Sequence, residues 1–99
     1  MKIKWRLGEK PTGRYRSFFK RGWPTGEWKD RVVCQIYSVS GDGYFPNVAE
    51  TEVLYIRVMD WRGEKPEWRR LKARPVGVRK AKEIATQFFI DNPHFLKHD

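Results

Sequence analysis

The chain has 99 residues, with 21 Lys and Arg against 12 Asp and Glu for a formal charge of +9, and it is 39% hydrophobic and 33% charged. That is too apolar for a disordered tail, too polar for a membrane protein, and the length of one domain, taken as 1–99. A single cysteine, Cys34, excludes an internal disulfide, so packing and hydrogen bonds must hold the fold.

Lys2 to Leu7 alternates strictly, with Ile3, Trp5 and Leu7 on one face and Lys2, Lys4 and Arg6 on the other, the period of a half-buried strand. A charge at every second position is also unlike a secretory leader, and no window approaches the roughly 20 apolar residues of a spanning helix, so a cytoplasmic location is expected. Gly8 to Gly13 is a turn by its Pro and Gly content, Arg14 to Lys20 resumes an extended pattern, and Gly22-Trp23-Pro24-Thr25-Gly26 breaks the chain again. Arg31 to Val39, rich in β-branched and aromatic residues, reads as a central strand, with Val32, Cys34 and Ile36 on one side and Val33, Gln35 and Tyr37 on the other. Ser40 to about Thr51, with Tyr44, Phe45 and Pro46, is longer than a tight hairpin needs and is expected to be the mobile loop. Glu52 to Trp61 is a second good strand, Arg62 to Pro66 turns it, and Glu67 to Arg74 continues as a further strand before Pro75.

The last element changes period. Val78, Ala81, Ile84, Ala85, Phe88 and Phe89 recur at spacings of three and four, one apolar helical stripe that Asp91-Asn92-Pro93 terminates. A lone helix buries such a stripe by lying on one face of a sheet. The expected fold is α+β: an antiparallel sheet of three to five strands over about 2–74, one C-terminal helix over about 77–91 on one face, and a short tail 92–99.

Charge is unevenly placed, at +7 over residues 1–35, −2 over 36–66 and +4 over 67–99. Both positive blocks interleave basic and aromatic residues, in Arg14-Tyr15-Arg16-Ser17-Phe18-Phe19-Lys20-Arg21-Gly22-Trp23 and in Trp68-Arg69-Arg70-Leu71-Lys72-Ala73-Arg74. Nucleic-acid binding needs these two ingredients, cations that displace counterions from phosphates and planar groups that stack on bases. The alternative is a core of aromatics with lysine and arginine on the wet face. The candidate nucleic-acid-binding residues are Arg14, Arg16, Lys20, Arg21, Trp23, Arg70, Lys72 and Arg74, and a sheet of this pattern presents its basic residues on the face opposite the helix.

Catalytic patterns are weak. His94 and His98 have metal-ligand spacing but lack a convincing third ligand, the serines lack flanking motifs, and Cys34 lies in an apolar strand where a thiol acts as a small hydrophobe. No enzymatic activity, catalytic residue, metal or cofactor is expected.

The segments Pro11 to Phe18, Arg21 to Pro24, Trp68 to Arg74, Lys80 to Ala85 and Asn92 to Leu96 resemble small uncharacterised proteins of tailed bacteriophages and prophages, over most of the chain. This resemblance implies a phage setting and the host cytoplasm. A fainter one, on Gly13-Arg14-Tyr15-Arg16, on Trp28 before Val32 to Ile36, and on Trp68-Arg69-Arg70-Leu71 before the Ala81/Ala85 helix, is to the AP2 and integrase-type DNA-binding domains. Those domains are a three-stranded sheet backed by one helix, with Arg and Trp of the sheet meeting DNA. Here about 25 residues, Ser40 to Lys65, intervene where that family turns quickly. The expected function is that of a small basic phage-type accessory protein binding DNA or RNA. The alternative is a protein that modulates an acidic host protein, anchored by Tyr44-Phe45-Pro46 and an exposed Trp23 or Trp28.

Overall fold

The computed structural model describes residues 1–7, 23–37 and 53–96. The elements are β1 (Lys4–Leu7), β2 (Pro24–Trp28), β3 (Arg31–Tyr37), β4 (Tyr55–Asp60), β5 (Glu67–Arg70), α1 (Val78–Asp91) and a 3₁₀ turn (Pro93–Leu96). The strands form one antiparallel sheet in the order β1-β2-β3-β4-β5, so each pairs with its neighbour in sequence and β3 is central. With one helix on the sheet the fold is α+β, as the periodicities require. Among the described residues, no helix is long and apolar enough to cross a membrane.

Register decides which face is wet. Cys34 pairs with Val58 and Ile36 with Ile56, and all four are fully buried beneath α1 with Leu54, Ala81, Ala85 and Phe89. Gln35 pairs with Arg57 and Tyr37 with Tyr55, which puts these four on the side away from the helix. The stripe of α1 packs as its spacing predicts, with Val78, Ala81, Ala85 and Phe89 buried and Ile84 and Phe88 against the rim. The segment after the helix is not a free tail as far as Leu96: Leu96 is buried, Phe95 meets Phe88 edge-on at 5.0 Å, and Trp61 N–H donates to Phe95 C=O at 3.2 Å.

Two expectations are corrected. Pro24 to Gly26, read as a break, opens β2: Pro24 stands first in the strand, where its missing N–H is tolerated. The hairpin that follows is made by Lys29 and Asp30 with φ of 51° and 62°, both left-handed, closing a two-residue turn between paired Trp28 and Arg31. Val33 does not lie opposite Cys34: Gly26 pairs with Cys34 while Glu27 pairs with Val32, so Val33 is an extra residue and joins Cys34 in the core at 1% exposure. The expected strand Arg14 to Lys20 and the loop Ser40 to Thr51 lie outside the described residues.

Candidate nucleic-acid interface

The face opposite α1 carries, strand by strand, Gln35 and Tyr37 from β3, Tyr55, Arg57 and Met59 from β4, and Trp68 and Arg70 from β5. The register Arg57 to Arg70 and Met59 to Trp68 continues the period-two face across the outer pair of strands. The rings and cations interleave. The Arg57 guanidinium lies 4.1 Å from the Trp68 ring centroid and 5.4 Å from that of Tyr37, and Tyr37 stacks on Tyr55 at 5.4 Å with planes 20° apart. On the far side of Tyr55, Arg70 approaches its ring centroid at 5.0 Å and Arg74 at 3.6 Å.

Arg57 is held in plane by a neutral partner. Its Nε and Nη2 both donate to Gln35 Oε1, at 2.9 and 2.5 Å, Gln35 Nε2 donates to Thr25 Oγ1 at 3.4 Å, and Thr25 Oγ1 donates to Trp23 C=O at 3.0 Å. This chain crosses from β4 to β2 without a carboxylate, so it orients the guanidinium without cancelling its charge. Half-burial pulls the Arg57 pKa below the ordinary arginine value, an effect the nearby Tyr37 opposes.

Beside Tyr55 the outer segment departs from strand geometry, and the departure makes a groove. Leu71 N–H donates to Ile56 C=O at 2.9 Å and Leu54 N–H donates to Pro75 C=O at 2.8 Å. Between those bonds β4 spends one residue, Tyr55, while the facing segment spends three, Lys72, Ala73 and Arg74. The excess bows outward and leaves an open concavity of about 400 Å³ lined by Tyr55, Arg70, Leu71, Lys72 and Arg74. These three residues facing one interrupt the ladder, which is why β5 ends at Arg70 rather than at the expected Arg74. Arg74 Nε is tethered to Leu54 C=O at 3.2 Å, so its guanidinium is fixed over Tyr55.

Among the described residues, the carboxylates that pair with cations do so with other arginines and lysines. Asp60 takes both Arg62 and Arg69, at 2.8 and 2.7 Å, on the helix side of the sheet, and Glu27 takes Arg6 at 2.5 Å. Among the described residues no carboxylate pairs with Arg57, Arg70, Lys72 or Arg74.

Of the residues singled out from the sequence, Arg70, Lys72 and Arg74 are exposed and meet around Tyr55. Trp23 does not join them: it is 7% exposed and belongs to the core, because β2 starts beside it and turns the ring inward. That burial also removes Trp23 as an exposed protein-binding anchor, and Trp28 is half-buried with Lys29 Nζ 4.5 Å from its ring. Arg14, Arg16, Lys20 and Arg21, like Tyr44-Phe45-Pro46, lie outside the described residues. Tyr37, Tyr55 and Arg57 are not singled out by the sequence pattern, although Tyr55 and Arg57 stand on one alternating face of their strand, and Trp68 belongs to the basic and aromatic block without being among the candidate residues. No protein-family model, curated protein or solved structure matches the chain.

Proposed function

We propose that this is a small basic phage-type accessory protein that binds nucleic acid through the face of β3, β4 and β5 turned away from α1. The observation that supports it is the composition of that face: Arg57, Arg70, Lys72 and Arg74 set among Tyr37, Tyr55 and Trp68, with no carboxylate paired to any of the four cations among the described residues. Uncompensated cations release counterions from phosphates, and the rings offer bases or sugars a flat apolar contact. The phage setting rests on sequence resemblance alone.

Counterion release makes the test quantitative. Phosphate contacts by Arg70, Lys72 and Arg74 alone give a slope of log affinity on log salt between about −2 and −3, a loss of about 20- to 40-fold from roughly 50 to 200 mM salt. Fluorescence anisotropy with labelled oligonucleotides, with heparin as competitor, measures it. Specific nucleic-acid binding survives at the higher salt against equimolar heparin charge. Binding that heparin abolishes at both salts rejects the reading.

A further inference from the structure

We infer that the concavity at Tyr55 is a site for a phosphate monoester, the doubly charged group at the end of a nucleic-acid strand, in preference to the singly charged diesters along it. The inference rests on the proposed nucleic-acid reading and deepens it.

Arg70, Lys72 and Arg74 bring three cations to one concavity of about 400 Å³, whose other lining residues, Tyr55 and Leu71, carry no acid. The cations are crowded as well as uncompensated. Arg70 is the register partner of Arg57, so two arginines stand opposite each other on one face, a pairing that costs stability when nothing neutralises it. Among the described residues the hydrogen-bond partners here are neutral, Gln35 for Arg57 and the Leu54 C=O for Arg74. An anion in the concavity supplies the missing charge.

The donors suit a phosphate in geometry too. Arg70 comes from the end of β5, and Lys72 and Arg74 from the bowed segment after it. The Arg70 and Arg74 guanidinium carbons lie 5.0 and 3.6 Å from the same Tyr55 ring centroid. That keeps the two carbons within about 9 Å of each other, and one phosphate gripped by two guanidinium forks holds their carbons about 8 Å apart. Arg74 spends Nε on the Leu54 C=O, which fixes its fork and leaves both Nη groups without a partner among the described residues. Lys72 adds a third donor group that turns freely on its stem. A phosphodiester offers such a site two unesterified oxygens and one negative charge, whereas a terminal monoester offers three oxygens and a charge of about −1.5 to −2 at neutral pH. Three cations with no carboxylate among them match the monoester.

The experiment uses single strands of one sequence, about 10 nucleotides long, that end in a free phosphate, in a phosphate capped as its methyl ester, or in a hydroxyl, with the group placed at the 5′ or the 3′ end. Each displaces a labelled oligonucleotide from the protein at neutral pH and constant salt. A free phosphate at one of the two ends is expected to bind at least about fivefold tighter than its methyl-capped form, the effect of one further unit charge about 4 Å from a cation even at the dielectric of water. Lys72→Gln and Arg74→Gln, each checked for wild-type circular dichroism, are expected to bring that ratio close to one, and Arg79→Gln on α1 to preserve it. Inorganic phosphate, at the same concentration, is expected to displace far less label than the phosphate-ended strand. Capped and free phosphate ends bound alike, or an end preference untouched by both Lys72→Gln and Arg74→Gln, overturns the inference and leaves the nucleic-acid reading standing, because the hydroxyl-ended strand still binds. Inorganic phosphate that displaces as well as the strand end overturns the assignment to a strand. Failure of every strand to bind rejects the nucleic-acid reading, and the inference with it.

Discussion

At the scale of single residues, the fold depends on one absence of a side chain. A Cβ on Gly26 would stand 2.6 Å from Cys34 Sγ, 2.7 Å from Ile3 Cγ2 and 3.2 Å from Trp5 Cζ3, so β1, β2 and β3 close over one another only because glycine leaves that volume empty. Gly26→Ala is expected to cost about 1–3 kcal/mol, the usual range for overpacking, read as a lower urea midpoint. Gly63→Ala is the control: its Cβ would come no closer than 3.8 Å to Lys65 O, so its midpoint should stay near wild type. The same packing silences Cys34. Burial pushes its thiol up to about 12, opposed weakly by a hydrogen bond with the Gly26 backbone, so at neutral pH it is a protonated filler of the core and not a nucleophile.

At the scale of elements, the β4 to β5 hairpin is held by a buried carboxylate. Asp60 Oδ1 accepts from Arg62 N–H and Nε at 3.0 and 2.9 Å, and Oδ2 accepts from Arg62 Nη2 at 2.8 Å and Arg69 Nε at 2.7 Å, while Arg62 covers Phe95 at 4.0 Å. The Arg62 hydrogen bonds hold the Asp60 pKa well below the usual carboxylate range against the opposing effect of burial, with Arg69 adding to them. A carboxyl whose folded pKa is depressed stabilises the protein above its unfolded-state pKa, near 4, and that stability is lost as pH falls below it. Wild type is therefore expected to exceed Asp60→Asn by about 1–3 kcal/mol at neutral pH, with the gap narrowing in urea titrations taken below about pH 4. A gap that stays constant down to about pH 2 would show that the contribution is steric rather than ionic.

Those elements were unequally legible. The alternation of Leu54 to Asp60 and the stripe from Val78 to Phe89 stand in the sequence because each face meets one environment throughout. β2 did not, since Pro24 and Gly26 carry turn chemistry and its hairpin is closed by Lys29-Asp30 rather than the Asn-Gly that marks such turns. The ring and guanidinium ladder was hidden for a different reason. Tyr37, Tyr55, Arg57 and Trp68 are distant in sequence and meet only through the pairing of three strands, and the groove at Tyr55 needs the three-against-one mismatch that no local pattern encodes.

At the scale of the whole molecule, a charge of +9 alone would attract any polyanion, so the claim concerns where the charge acts. The helix side has exposed cations too, Arg79 and Lys80, the latter 3.9 Å from Glu83. The sheet side differs in gathering four cations without a described carboxylate partner, Arg57, Arg70, Lys72 and Arg74, about the stacked Tyr37 and Tyr55 rings. The most direct test is therefore a charge-matched pair: Arg70→Ala with Lys72→Ala on the sheet face, and Arg79→Ala with Lys80→Ala on the helix, each removing two positive charges. Oligonucleotide affinity measured across salt should fall, and its slope flatten by about one to two, only for the first variant. Equal losses from both variants would contradict the account and reduce the basic face to net charge.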